Sequence, residues 1–65
     1  MKSYSSRELI SMIVADGWEL DRTVGSHRHY RHPSKPGTVT IPHPKKDVPL
    51  KTAKSIATQA GIELE

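Results

Sequence analysis

A histidine-rich segment at residues 25–32, Gly-Ser-His-Arg-His-Tyr-Arg-His, contains the residue types that RNA-cleaving chemistry requires. A neutral imidazole can take the proton from a ribose 2′-hydroxyl, and an imidazolium can protonate the leaving 5′-oxygen. Neighbouring arginines can stabilise charge on the scissile phosphate, and a tyrosine can stack on a base. These residues are the parts of a metal-independent ribonuclease, but residue type alone does not choose among the histidines.

The alternation of an extended strand divides this segment between two faces. His27, His29 and Arg31 fall on one face, and the other face carries the remaining polar residues, Ser26, Arg28, Tyr30 and His32. Surface histidines and a tyrosine that only covers the sheet would give the same pattern. A metal site is disfavoured, because the segment contains no carboxylate and His43 stands apart among prolines. We therefore expect no metal and no cofactor.

Positive charge is concentrated in the middle of the chain. Most of the 10 Lys and Arg residues and all 4 histidines lie between Arg22 and Lys54, where Asp47 is the one acidic residue. Clustered cations favour a polyanionic partner through phosphate contacts and counterion release. A solvated basic surface would have the same composition, so Lys45 and Lys46 are candidates either for RNA contacts or for exposed linker charges.

The 65 residues predict a single domain, residues 1–65, close to the smallest size that one hydrophobic core can stabilise. The chain has no cysteine, which excludes disulfides and is consistent with a reducing cytoplasm. No apolar run approaches the roughly 18 residues of a membrane span, and the N-terminal segment does not have the pattern of a signal peptide. We expect a cytoplasmic protein that does not bind membranes.

Local patterns predict the order α-β-β-β-α. A capping box formed by Ser5 and Glu8 and a stop at Gly17 predict a first helix over residues 6–16, with Leu9, Ile10, Met12, Ile13 and Val14 on one arc. Alternation predicts strands over 18–21, 26–32 and 38–41, with Trp18 and Leu20 on one face and turns over 22–25 and 34–37.

The second helix is predicted to begin near Pro49 and to end at Gly61, after which Ile62 packs back on the last turn. Asp47 lies just upstream, where a carboxylate favours the free amides of a helix. The predicted fold is a two-layer α+β domain with a three-stranded antiparallel sheet, two helices on one face and the other face free. Double-stranded-RNA-binding domains have the same element order.

The predicted first helix is followed by a series of short motifs: Gly17-Trp18, Gly25-Ser26-His27-Arg28, Tyr30-Arg31-His32-Pro33, Lys35-Pro36-Gly37, Val39-Thr40, Ser55-Ile56 and Gln59-Ala60-Gly61. Through this helix and these motifs, over nearly its whole length, the chain resembles the HicA toxins, a family of bacterial mRNA-cleaving toxins. Each motif alone is weak, but their combination in this order is specific.

The resemblance implies the toxin of a type II toxin–antitoxin pair: an mRNA interferase that inhibits translation and growth. Its partners would be mRNA and a HicB-like antitoxin, which would neutralise it in a hetero-oligomer. The family's catalytic histidine falls on His27, and the implied fold is like that of double-stranded-RNA-binding domains. We expect RNA contacts from the Gly-Ser-His strand and the basic loops, at Ser26, Arg28, Tyr30, Arg31, Lys35, Lys45 and Lys46.

Four positions depart from the family pattern or carry no expected role. Relatives often carry glutamine or an apolar residue where His29 stands, so we assign His29 no required role. Lys51 stands where glycine is common, and Ala53 and Ala57 replace larger aliphatic residues. A non-catalytic RNA-binding module, or a domain that binds an acidic protein, would use the same basic surface and stays open as an alternative.

Overall fold

A computed structural model describes residues 3–64 and has the predicted α-β-β-β-α order. The elements are α1 (Ser6–Ala15), β1 (Glu19–Val24), β2 (His27–Arg31), β3 (Thr38–Pro42) and α2 (Leu50–Ala60). The strands form one antiparallel sheet in the order β1-β2-β3. Both helices pack against the same face of this sheet, so the other face is free, which confirms the predicted α+β class.

The first helix begins with the predicted capping box. The Ser5 hydroxyl accepts the Glu8 amide at 3.1 Å, and the Glu8 carboxylate accepts the Ser5 amide at 3.0 Å. The helix ends at Ala15, one residue earlier than predicted. Leu9 and Ile13 are buried, but Val14 is 50 % exposed, so the predicted apolar arc was too wide.

The first hairpin is longer than predicted, because β1 extends to Val24 and the turn contains only Gly25 and Ser26. Gly25 has φ +57° at the first turn position, as a two-residue type II′ connection requires. Trp18 is 1 % exposed, whereas Leu20 is 53 % exposed although it pairs with the buried Tyr30 on the helix-facing side of the sheet. The helices lie over β3, and β1 forms the opposite edge of the sheet, so β1 is exposed along its whole length.

The second helix begins after Pro49 with no side-chain cap. The Asp47 carboxylate lies upstream of this helix and accepts the Ser3 hydroxyl at 3.0 Å. Gly61 ends the helix at φ +68°, and the Ile62 amide donates to the Ala57 carbonyl at 3.0 Å, as predicted. No helix within residues 3–64 is long and apolar enough to cross a membrane.

Candidate functional site

Several residues of the family-like motifs meet where the two helices end, in what we call the helix-end cluster: Asp16, Gly17, Trp18, His32, Lys35 and Ala60. His32 lies at its centre and bonds through both ring nitrogens. Nε2 lies 2.8 Å from the Asp16 carbonyl, and Nδ1 accepts the amides of Ser34 at 3.0 Å and Lys35 at 3.1 Å. This pattern assigns the ring proton to Nε2. His32 therefore holds the β2–β3 loop against the end of α1.

Lys35 ties the same loop to both helices. Its ammonium lies 2.5 Å from the Asp16 carboxylate and donates to the Ala60 carbonyl at 3.1 Å and the Gly61 carbonyl at 3.3 Å. The bond from Lys35 holds the pKa of Asp16 below its ordinary value. These contacts give the Lys35 ammonium a structural role, and the expectation that Lys35 contacts RNA stays a prediction.

Trp18 and Tyr30 are also used by the fold. The Trp18 indole N–H donates to the Ala60 carbonyl at 3.2 Å, and its ring meets His32 edge-on at a centroid distance of 5.2 Å. Tyr30 is 2 % exposed and lies in the core beside its strand partner Val39. The expectation that Tyr30 stacks on an RNA base is therefore corrected: its ring has no free face.

The opposite end of the sheet presents His27. This residue begins β2 directly after the Gly25-Ser26 turn, lies between Val24 of β1 and Pro42 of β3, and is exposed. Its imidazole has no hydrogen-bond partner within residues 3–64. In this part of the molecule the fold therefore makes no use of the His27 ring.

The free face of the sheet, which we call the open face, carries His27, His29 and Arg31 in a row, as alternation predicted. Arg22 of β1 and Thr40 of β3 lie directly opposite His29. His29 is half-buried, and its Nδ1 lies 2.9 Å from the Thr40 hydroxyl oxygen. The open face therefore combines imidazoles with guanidinium groups on neighbouring strands.

The segment after β3 closes the His27 end of the domain. The His43 amide donates to the Ser26 carbonyl at 2.7 Å, and the His43 ring Nδ1 lies 2.9 Å from the Ser6 hydroxyl. Ser6 also exchanges hydrogen bonds with the backbone of Lys45, at 2.8 and 3.0 Å. The sequence analysis missed this role of His43, because its partner Ser6 lies 37 positions away and no local pattern joins them.

Both helices point their N-termini toward this same end. Their C-terminal ends meet at Lys35, while Ser6 of α1 bonds to Lys45 and the bridge between Tyr4 and Val48 places the start of α2 beside that of α1. Helix dipoles are positive at their N-termini, so the two dipoles reinforce each other there. The exposed Lys45 and Lys46 lie at the same end, together with the carboxylates of Glu8 and Asp47.

The half-buried Arg28 lies on the helix-facing side of β2, opposite Ile41, and Ser26 is exposed in the turn. The structure thus gathers Ser26, His27, Arg28, Lys45 and Lys46 at one end of the domain, with Arg31 farther along the open face. Among residues 3–64, no group of His, Asp or Glu side chains has a geometry that could hold a metal ion.

The architecture and the exposed histidine define a small α+β domain with a histidine-bearing open sheet face. A family model described as HicA toxin of bacterial toxin–antitoxin matches residues 6–62 of this chain. The chain belongs to the HicA toxin family and is thus a toxin of a toxin–antitoxin system. A search among curated proteins found no match.

Proposed function

We propose that this toxin is an mRNA interferase, an endoribonuclease whose catalytic group is His27. One observation carries the proposal: the His27 imidazole is exposed on the open face without a structural partner in the described chain. Two other ring side chains of the segment are used by the fold, since Tyr30 is in the core and His32 is in the helix-end cluster. The His27 imidazole is thus free to meet a substrate without loss of a hydrogen bond within residues 3–64.

The proposed step is an in-line transesterification at phosphorus. The neutral His27 imidazole takes the proton of the ribose 2′-hydroxyl, and the 2′-oxygen forms a bond to phosphorus as the bond to the 5′-oxygen breaks. The leaving oxygen receives a proton, and the products are a 2′,3′-cyclic phosphate and a free 5′-hydroxyl. Arg22 and Arg31 lie on the same face and can offset negative charge that develops on the phosphate.

The proposed RNA path crosses the open face and continues to the end of the domain that carries Lys45 and Lys46. Arg31 supplies a cation along β2, Ser26 and Arg28 supply donors beside the hairpin turn, and Lys45 and Lys46 extend the positive surface. Clustered cations of this kind bind a phosphate backbone without reading its sequence. The proposed path leaves out Tyr30, which is buried in the core, and Lys35, whose ammonium bonds to the helix ends.

A toxin of a toxin–antitoxin system has an antitoxin partner, which we propose to be HicB-like. We propose that this partner covers the open face, because any cover placed elsewhere would leave His27 accessible to RNA. The resulting hetero-oligomer would be inactive, and release of the toxin would lower translation and growth. Acidic groups on the antitoxin surface would complement the cations around His27.

Incubation of the purified protein with single-stranded RNA in the presence of a chelator tests the function. The wild type should produce fragments with 2′,3′-cyclic phosphate ends, and His27→Ala should produce none while retaining its unfolding midpoint. His43→Gln is a matched control, since His43 lies at the same end but bonds to Ser6. A mobility shift without cleavage would instead identify a non-catalytic RNA-binding module, and full cleavage by His27→Ala would refute the catalytic assignment.

A further inference from the structure

The proposed cleavage step needs a second proton-transfer group, which must protonate the leaving 5′-oxygen. We propose that His29 is this general acid and that Thr40 is its positioning residue, an inference that rests on the proposed ribonuclease function. The structural observation behind it is that His29 shares the open face with His27 and that the Thr40 hydroxyl holds one of its ring nitrogens. The family pattern had suggested no required role for this position.

The spacing of the two histidines suits the reaction. Residues two apart on a strand lie on the same face, roughly 6.6 Å apart along the strand at about 3.3 Å per residue. In an in-line displacement the attacking and leaving oxygens lie on opposite sides of phosphorus. Side chains at this separation can each reach one of these oxygens, at about 2.6–3.2 Å from ring nitrogen to oxygen. A phosphate centred between His27 and His29 therefore meets both proton-transfer requirements.

The bond to Thr40 suits the acid form of the ring. The His29 Nδ1 lies 2.9 Å from the Thr40 hydroxyl oxygen, which can accept an N–H at this nitrogen. An imidazolium then carries its second proton on Nε2, which has no hydrogen-bond partner within residues 3–64. The proton at Nε2 passes to the 5′-oxygen as the bond to phosphorus breaks. The other proton stays on Nδ1, in the hydrogen bond to the Thr40 hydroxyl oxygen, so the ring keeps one orientation in both protonation states.

Other nearby groups are less suited to the role. Arginine keeps its proton at physiological pH, which excludes Arg22 and Arg31 as donors of the transferred proton. His32 uses both ring nitrogens in the helix-end cluster at the far end of β2. His43 bonds to Ser6 on the helix-facing side.

The surroundings of His29 define which charges act on it. Its own strand contributes His27 and Arg31, and β1 contributes Arg22 opposite it, with Asp21 in the adjacent bulge and Glu19 opposite Arg31. The neighbouring β3 residues on this face are uncharged, namely Thr38, Thr40 and Pro42. The helices pack on the other face of the sheet. Within residues 3–64, the charged and titratable groups that face His29 from neighbouring strand positions are therefore His27, the two arginines and these two carboxylates.

The pH dependence of RNA cleavage tests the inference. The wild type should show a bell-shaped rate profile, with an acidic limb from the base and an alkaline limb from the acid. His29→Gln should lose the alkaline limb and lower the rate on the order of 10²–10⁴-fold, whereas His27→Gln should abolish cleavage. The His43→Gln control, which removes another half-buried histidine bonded to a hydroxyl, should keep both limbs.

A substrate with an activated leaving group separates the acid from the base. A ribonucleoside 3′-(4-nitrophenyl phosphate) expels a stable phenolate and needs no acid, so His29→Gln should cleave it nearly as fast as the wild type does. His27→Gln should remain inactive toward it. Thr40→Val should make the decline of the RNA cleavage rate at high pH less pronounced. Thr40→Ser, which keeps the hydroxyl, should show the same decline as the wild type.

The outcomes distinguish this inference from the function on which it rests. If His27→Gln abolishes cleavage but His29→Gln keeps the rate and both limbs, the role of His29 is refuted and the ribonuclease function stands. If the activated substrate fails to rescue His29→Gln, the assignment as an acid is refuted. If the wild type cleaves no RNA at all, the proposed function and this inference both fail.

Discussion

Replacing Gly17 with alanine should destabilise the protein strongly, because two separate penalties meet at this residue. Gly17 has φ +107°, a conformation that side chains other than glycine adopt at a cost of about 1–3 kcal/mol. An added Cβ would also lie 2.8 Å from His32 Nε2, so the imidazole would have to move. It cannot move freely, because hydrogen bonds hold both of its ring nitrogens.

The magnitude follows from the contacts that His32 would lose. Its bond to the Asp16 carbonyl contributes about 0.5–1.5 kcal/mol, and its edge-on contact with Trp18 contributes a further 0.5–1.5 kcal/mol or so. Together with the backbone strain, Gly17→Ala should cost about 2–6 kcal/mol. A chain of 65 residues has a total unfolding free energy of roughly 3–10 kcal/mol. The substitution therefore removes a large part of the stability.

Urea denaturation, followed by Trp18 fluorescence and far-ultraviolet circular dichroism, measures this loss. Gly37→Ala is a matched control, since Gly37 has φ +83° and no atom lies within 4 Å of its added Cβ. Gly37→Ala should therefore be destabilised by the backbone strain alone. In the His32→Ala background, Gly17→Ala should cost no more than Gly37→Ala does. An equal cost of Gly17→Ala with and without the imidazole would refute the proposed clash.

Three further predictions concern charge and burial. Asp16→Asn should lower the urea midpoint at neutral pH, and this deficit should shrink on acidification, because a carboxyl with a lowered folded-state pKa adds stability that is lost as pH falls through that pKa. Tyr30→Phe should leave RNA cleavage unchanged, since the ring is buried; a large loss of activity would contradict its assignment to the core. In the His27→Ala background, Arg31→Gln should weaken RNA binding, measured by fluorescence anisotropy. It should also reduce the slope of log Kd against the logarithm of the salt concentration by about 0.7. Lys54→Gln, on the exposed side of α2, should change neither the affinity nor this slope.

Local chemistry made much of the fold predictable. The capping box of Ser5 and Glu8 forms within four consecutive residues, and Gly61 ends its helix through contacts one turn away, so both were confirmed. The exposure of β1 was not predictable in the same way. Alternation predicted one face for Trp18 and Leu20, but only the tertiary structure shows that the helices lie over the far edge of the sheet and leave Leu20 exposed.

The site was harder to predict, because the same residue types serve binding and structure. Lys35 and Tyr30 have the chemistry of RNA ligands, yet one ties helix ends together and the other fills the core. Their roles depend on Asp16, Ala60 and Val39, which local patterns do not connect with them. The face of His27 and His29 was predictable from alternation, whereas the hydroxyl beside His29 follows from strand register.

The two ends of β2 have different roles: the end next to His32 stabilises the fold, and the end with His27 carries the proposed chemistry. At the end with His32, one loop binds the last turns of both helices, so substitutions there weaken the whole fold. At the end with His27, a turn of two residues connects the strands and the imidazole is exposed. Removal of that imidazole leaves no cavity and breaks no hydrogen bond within residues 3–64. An inactive His27 variant should therefore keep the shape of the open face, and an antitoxin that recognises this face should still bind it. Loss of antitoxin binding in the folded His27→Ala variant would mean that the antitoxin holds the toxin through the imidazole itself.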